Sequence, residues 1–296
     1  TRAHDQPWYL FASFIDPHPP FAPPSPWHKL YRAPQMPLPK VPADWESLLV
    51  WINRFQNRYK YRDQGIDNNL LRCMKAYYYA TVSFIDYQVG RMLDALESTG
   101  ELANTLVVLT ADHGEHLGDY NCFGKRSMHD TAARVPLLCR LPGTFEAGGR
   151  VEQVAGHVDV APIILHAADT EFEDGARDGV DLAELAAGRV EREAVYSQLF
   201  SGEKAIYMAA NEEWKYVYSA PDRMEFMFDR VRDPQELRNR ADMPFTRDAQ
   251  GQMRETLMDF LRGNGETQGI EGDSWKEYPE FEMPRNPDAG LLIQDH

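Results

Sequence analysis

Leu106 to Leu109 is an unbroken apolar run between two threonines. It is too short for a helix and rich in Val and Leu, the pattern of a strand buried on both faces. Trp8 to Ile15 is short and aromatic and reads as another strand, ended at Asp16-Pro17-His18 because proline removes a ladder donor. Val135 to Leu141 reads as a third, turned by Pro142-Gly143. Between these runs the period changes. Tyr78, Val82, Ile85, Val89, Met92 and Leu96 recur at steps of three and four, which predicts a helix over Leu70 to Glu97, with Gly100 as its stop. Asp159 is placed to cap a helix over Val160 to Ala168, with Pro162 tolerated in its first turn.

The pattern shifts again near residue 190. Ala194 to Phe200, Ala205 to Ala210, Trp214 to Ser219 and Glu225 to Phe228 read as short strands, and Asn211-Glu212-Glu213 as a hairpin connection. Gln250 to Arg262 follows as an amphipathic helix with Met253, Leu257, Phe260 and Leu261 on one face. Leu182 to Ala187 reads as a helical turn, 170–181 as an acidic surface loop, and the tail from Glu266 as a surface wrap or a disordered end. The predicted fold class is α/β. A mixed β-sheet flanked by helices fills residues 1–190, and a small antiparallel sheet plus helix, with the tail, fills 191–296.

Pro17 to Pro42 holds half of the chain's 20 prolines, so no regular element is expected there. Loops of this length inside a domain are usually functional. His18 stands where the first strand enters it. Trp45, Trp51 and Phe55 are assigned to core packing, with a substrate cleft as the other reading.

Composition narrows the function classes. The 296 residues suffice for a sizeable core, and 43% hydrophobic with 26% charged residues is ordinary for a globular chain. A net charge of -15 argues against a nucleic-acid partner, which calls for a basic stripe. It also provides no global attraction for an anion, so anion binding has to be local. No apolar stretch reaches the roughly 18 residues of a membrane helix. The 3 cysteines form no disulfide framework.

The candidate chemistry follows the central apolar run. Asp112-His113-Gly114-Glu115 leaves its C-terminal end, where α/β sheets place ligand groups. Lys125 and Arg126 then return positive charge. A possible metal-ligand pair followed by cations suits an anionic oxyester. On spacing alone, a turn with a capping Asp explains Asp112 as well, and a turn histidine explains His18. His157 and Asp159 suggest a second metal pair, but capping accounts for Asp159.

DHGEHLGD (112–119), GKRSMHD (124–130) and ARVPLLCRLPG (133–143) resemble, in order, the metal-ligand and lysine segment of the sulfatases, a branch of the alkaline phosphatase superfamily. PWYLFASFIDPHPPF (7–21), with its F-x-x-P-H-x-P-F pattern, resembles the segment bearing a substrate-facing histidine. Ala76 to Gly100, His157 to Ala168 and Phe228 to Asn239 also resemble sulfatase segments, so the likeness reaches about residue 262. It implies an alkaline phosphatase-like fold and hydrolysis of a small-molecule or carbohydrate sulfate ester. Asp112 and His113 would be metal ligands, and His18 and Lys125 would contact the sulfate. Calcium is the expected metal, with manganese or zinc open because His113 is a softer ligand than calcium prefers. Glu115, His116, Arg126 and His129 carry no family role and are left as supporting or surface groups.

Sulfatases also carry an N-terminal aspartate pair and a C/S-x-P-x-R motif whose Cys or Ser becomes formylglycine, the nucleophile. Neither is expected in these 296 residues. Cys122 has an Arg four residues on, but Gly124 stands in place of the Pro and the site follows the metal ligands, so Cys122 reads as a loop thiol. The chain is expected to be the later part of a sulfatase, inactive alone, with the formylglycine in the missing N-terminal part. Alternatives are a phosphonate monoester or phosphodiester hydrolase of the same superfamily, and a non-catalytic fragment. Oligomeric state stays open.

Overall fold

A computed structural model describes residues 7–39, 41–61, 66–170 and 178–283. Residues 1–6, most of the acidic loop (171–177) and the end of the tail (284–296) lie outside them.

The proline-rich stretch is ordered along a helix. Among its described residues it carries 3-10 turns at Trp27–Lys29 and Ala33–Gln35 and no longer element, and a further 3-10 turn, Trp45–Leu48, follows it. Its aromatic residues clasp α2 (Asn68–Ser98). Phe21 meets Tyr78 edge-on at 5.4 Å, Trp27 meets Tyr87 at 5.3 Å, and Tyr31 meets Tyr79 at 5.7 Å. The Tyr31 hydroxyl pairs with Ser83 Oγ at 2.8 Å. The expected helix is therefore present, begun by Asp67, which accepts from the Leu70 N–H, and ended at Gly100 with φ +76°. Its deepest residues differ from the predicted stripe: Leu71, Ala76, Ala80 and Thr81 are buried and Val82 is exposed. The small residues are deepest because aromatic side chains of the loop cover the helix. The helix α1 (Trp51–Tyr61) was not anticipated. Its first turn is fixed by Asp222, which accepts the Trp51 N–H at 2.8 Å and pairs with Arg54.

Two strand expectations are corrected. Residues 8–15 form no strand and have no ladder partner among the described residues, and Leu10, Phe11 and Ile15 are exposed. Aromatic content marked strand propensity, but a strand also needs a neighbour. The apolar run forms β1 (Val107–Thr110), which pairs antiparallel with β2 (Leu137–Arg140) in a two-stranded sheet. It is not buried on both faces. Leu106, Val108, Leu137 and Cys139 pack on α4 (Val160–Ala167) and α5 (Leu182–Ala186) through Ile163, Leu182 and Leu185. Leu109 and Leu138 are exposed, since no described layer covers them.

Between β1 and β2 lies one helical turn, α3 (Asp130–Ala133). Asp159 stands before α4 but its side chain does not cap that helix. It is fully buried, accepts from the N–H groups of Gly156 and Val180, and takes both guanidinium nitrogens of Arg192 at 2.6 and 2.7 Å. A bidentate pair of this kind is the stronger demand on the carboxylate.

The C-terminal half follows expectation. β3 (Val195–Leu199), β4 (Ile206–Ala210), β5 (Trp214–Ser219) and β6 (Met224–Asp229) form an antiparallel meander in that order. Period-two alternation sends Ile206, Met208, Val217, Phe226 and Phe228 to one face, against Leu48, Ile52, Tyr120 and Met128. Tyr207, Tyr216 and Tyr218 point the other way, toward Met253, Leu257 and Leu261 of α6 (Arg247–Gly263). The described part of the tail wraps this side. It forms a small hairpin of β7 (Ile270–Glu271) and β8 (Ser274–Trp275), and Trp275 stacks on Tyr218 at 4.2 Å. Trp45, Trp51 and Phe55 join the first core, as assigned.

One buried ionic cluster ties this sheet to the segment between β1 and β2. Lys215 of β5, 1% exposed, donates to the Met128 carbonyl at 2.9 Å and pairs with Asp130 and, at 2.5 Å, with Glu236. Glu236 accepts the Asp130 N–H at 2.8 Å and lies 3.3 Å from His129 Nδ1. Burial alone would raise the Glu236 pKa, but the Lys215 ammonium and the His129 ring outweigh it and hold it at about 2. Lys215→Met strands the buried Glu236 carboxylate and is expected to cost about 3–5 kcal/mol in urea unfolding. Lys215→Met with Glu236→Gln is expected to cost less. Equal losses for the two variants would remove this pairing as the reason.

Candidate active site

His113 leaves β1 through a turn that only glycine permits. A Cβ on Gly114 would sit 2.1 Å from the Thr131 carbonyl oxygen, and the Gly114 N–H donates to Ala132 at 2.7 Å. The turn is thus locked against α3. His113 Nδ1 donates to the Gly114 carbonyl at 2.8 Å, which leaves Nε2 as the lone-pair nitrogen. That Nε2 lies 3.3 Å from Asp112 Oδ2, while Asp112 Oδ1 accepts the His113 N–H at 3.0 Å. A carboxylate oxygen and an imidazole nitrogen are thus turned to one point. The Asp112 side chain is 85% exposed and that of His113 27%, so the point opens to solvent. This donor pair fits a divalent cation, although two ligands are only part of any full shell.

His18 and His113 meet edge-on, ring centroids 6.4 Å apart. His18 Nδ1 donates to the Pro19 carbonyl at 2.9 Å. Both rings line a cavity of about 580 Å³ together with Lys125 and Arg126. Three of the four expected site residues therefore share one cavity, and the fourth, Asp112, adjoins it through His113.

The loop delivering Lys125 is held by residues that sequence reasoning left without roles. Glu115 Oε1 accepts the N–H groups of Gly124 (2.5 Å) and Leu117 (3.3 Å), and the His116 N–H donates to the Gly124 carbonyl at 2.9 Å. Gly124 has φ +82°, a left-handed conformation that suits glycine. His116 is fully buried between Thr131 Oγ1 (2.8 Å) and Ser127 Oγ (3.1 Å). Burial, reinforced by the His129 ring, pushes its pKa down to about 3 and keeps it neutral. His129 donates from Nε2 to the Leu48 carbonyl at 2.9 Å and stacks on Tyr120. The DHGEH spacing signalled Glu115 and His116 only as neighbours of the ligand pair. Apart from Leu117, their partners lie 8 to 15 residues away, and loop folding brings them together.

The cysteine assignment holds. Cys122 is 1% exposed, accepts from Asn57 Nδ2 at 3.7 Å, and burial pushes its thiol up to about 12. Contrary to expectation, a C/S-x-P-x-R motif does occur. Ser219-Ala220-Pro221-Asp222-Arg223 spells one. It forms the β5–β6 turn, where Ser219 is fully buried and donates to Asp222 Oδ2 at 2.5 Å, and it does not line the cavity. Here the motif closes a hairpin and supplies no accessible nucleophile. His157 and Asp159 do not form a metal pair: His157 Nε2 bonds the Ala111 carbonyl at 2.7 Å, and Asp159 is taken by Arg192. Among the described residues, one group of three possible metal ligands occurs, His166, Asp181 and Glu184, with ligand atoms within 4.8 Å. Glu184 is engaged by Arg189 and Asp181 caps α5, which accounts for both carboxylates.

The family described as Sulfatase matches residues 1–170, more than half of the chain. The chain belongs to the sulfatase family. The region described as N-sulphoglucosamine sulphohydrolase, C-terminal, matches residues 118–262. The arylsulfatase of Clostridium perfringens is 30% identical to this sulfatase-family chain over 284 residues, 94% of this chain and 58% of its own length. The choline-sulfatase of Rhizobium meliloti is 30% identical over 246 residues, 81% of this chain and 47% of its own. The chain thus spans about half the length of the curated relatives it matches. Among solved structures, the phosphonate monoester hydrolase of Silicibacter pomeroyi superposes with a TM-score of 0.76 at 24% identity, covering 94% of this chain and 61% of that one. That of Agrobacterium radiobacter does so at 0.73 and 25% identity, covering 88% and 57%. The fold is the α/β, alkaline phosphatase-like class expected.

The neutrality of His116 has a pH consequence. Its folded pKa lies below its unfolded value, so an unfolded chain takes up a proton below pH ~6.5 that the folded chain refuses. Stability therefore falls as pH drops through that window. Between pH 7 and 5 the native chain is expected to lose about 2 kcal/mol more than His116→Gln in urea titrations. Parallel pH profiles would contradict a buried neutral imidazole.

Proposed function

We propose that this chain carries one half of a sulfate ester hydrolase site. The observation behind the reading is the convergence of His18, His113 and Lys125 on one cavity, with Asp112 Oδ2 held 3.3 Å from His113 Nε2. The whole protein's reaction is metal-dependent hydrolysis of a sulfate ester. The remaining metal ligands and the formylglycine nucleophile come from sequence outside these 296 residues. This agrees with the greater length of the curated relatives and with the burial of both Cys122 and Ser219.

Each residue of the chain has a task. Asp112 and His113 hold part of the metal shell, and calcium is the metal proposed. Bound there, a divalent cation withdraws charge from the sulfate oxygens. Lys125 places a point charge where negative charge builds on those oxygens in the transition state. His18, which lines the cavity, contacts the ester oxygen and protonates the leaving alcohol. Glu115 and His116 keep Lys125 in register. A second reading, phosphonate monoester hydrolysis, is favoured by the Agrobacterium radiobacter neighbour. Comparing rates on an aryl sulfate and an aryl phosphonate separates the two, and faster phosphonate turnover would replace the first reading.

In the full-length protein, Lys125→Ala is expected to lower aryl sulfate turnover by more than about tenfold with the circular dichroism spectrum retained. An unchanged rate would remove Lys125 from the site. Asp112→Asn is expected to lose bound metal by elemental analysis, and full occupancy would sink that ligand.

A further inference from the structure

The helix α1 turns a row of carboxamides toward the loop that carries Lys125. Asn53, Gln56 and Asn57 stand at i, i+3 and i+4, so they share one face. Asn53 Nδ2 donates to the Arg126 carbonyl at 3.3 Å, and Asn57 Nδ2 donates to the Asn121 carbonyl at 3.3 Å. These two bonds hold the loop at both ends. Gln56 lies between them, beside Gly124, where a Cβ would sit 3.7 Å from Gln56 Oε1. The Gly124 N–H is already taken by Glu115. Gln56 is 6% exposed, and its Oε1 has no hydrogen-bond partner among the described residues. The same side chain lines the cavity that His18, His113 and Lys125 share. A buried carbonyl without a partner is destabilising, so its place at a cavity wall calls for a ligand.

Resting on the sulfate ester reading above, we propose that Gln56 is a specificity-determining residue, its Oε1 accepting a hydroxyl on the alcohol portion of the substrate. A carbonyl oxygen accepts and cannot donate, so the group that meets it must bring the hydrogen. Lys125 and Arg126 line the same cavity, and their positive charge disfavours an ammonium there. A neutral hydroxyl satisfies both conditions. A substrate lacking that hydroxyl leaves the buried oxygen unpaired in the complex as well, and is discriminated against for that reason. Asn53 and Asn57 take no part, since their amides are committed to the loop.

Steady-state kinetics of the full-length protein test this. The probes are the ortho, meta and para hydroxyphenyl sulfates, each beside the methoxyphenyl sulfate of the same ring position. The two leaving groups are electronically alike, and only the first can donate. For at least one ring position, kcat/KM is expected to be about tenfold higher for the hydroxy substrate than for its methoxy counterpart. Gln56→Met, similar in size and only a weak acceptor, is expected to bring that ratio to within about twofold. Its urea midpoint is expected to equal or exceed that of the parent protein, because an unpaired buried oxygen is removed. A ratio near one in the parent protein, or a preference that survives Gln56→Met, would overturn the Gln56 assignment and leave the sulfate reading in place. A lowered urea midpoint would do the same, by giving Gln56 a structural role. No turnover of any of these sulfates by the parent protein would overturn the sulfate reading, and the proposal with it.

Discussion

A buried lysine ties the C-terminal meander to the segment between β1 and β2. Lys215 rises from the C-terminal meander into the segment between β1 and β2, where it meets Glu236, Asp130 and the Met128 carbonyl. Charges so deep are tolerated only when each has a partner. The requirement fixes the start of α3 relative to the sheet. Through Gly114 packed on Thr131 and His116 bonded to Thr131, it then fixes the loop bearing Asp112, His113 and Lys125. The meander takes no part in the cavity lining, yet the position of the cavity's charged groups depends on it.

The result separates chemistry from support. Groups assigned to metal and anion are solvent-facing: Asp112 is almost bare and His18 and Lys125 line an open cavity. Groups that hold them, His116, His129 and Glu236, are buried and hydrogen-bonded. Their ionisation follows: His116 stays neutral and Glu236 stays ionised across the physiological range. Buried, hydrogen-bonded support of this kind holds the exposed groups in place while they face solvent.

What could be read beforehand divides along the range of the forces involved. The strands β3 to β6 and the helices α2 and α6 lay within a residue or three of expectation, because alternation, helical period and turn residues are local signals. The helix α1 was missed because its anchor, Asp222, is 171 residues from Trp51. Residues 8–15 and β1 were misjudged for the complementary reason: composition reports what a strand can bury, whereas neighbours decide what it does bury. That DHG, PHPPF and GKR would come together was legible through family resemblance, and the three segments do meet at one cavity. The roles of His129 and Glu236 were not legible, since these residues are 107 apart in sequence and adjacent in space. The SAPDR stretch shows the reverse failure, a motif without its context, disarmed by burial in a hairpin.

Asp112 and His113 are proposed to hold the metal beside a sulfate contacted by Lys125 and His18. Anomalous diffraction from crystals of the chain soaked in manganese and phenyl sulfate measures this directly. The expected result is a manganese peak at Asp112 and His113 with a sulfur peak beside Lys125 and His18. Manganese found at His166, Asp181 and Glu184 and absent from Asp112, or sulfate bound away from the His18–Lys125 cavity, would contradict it.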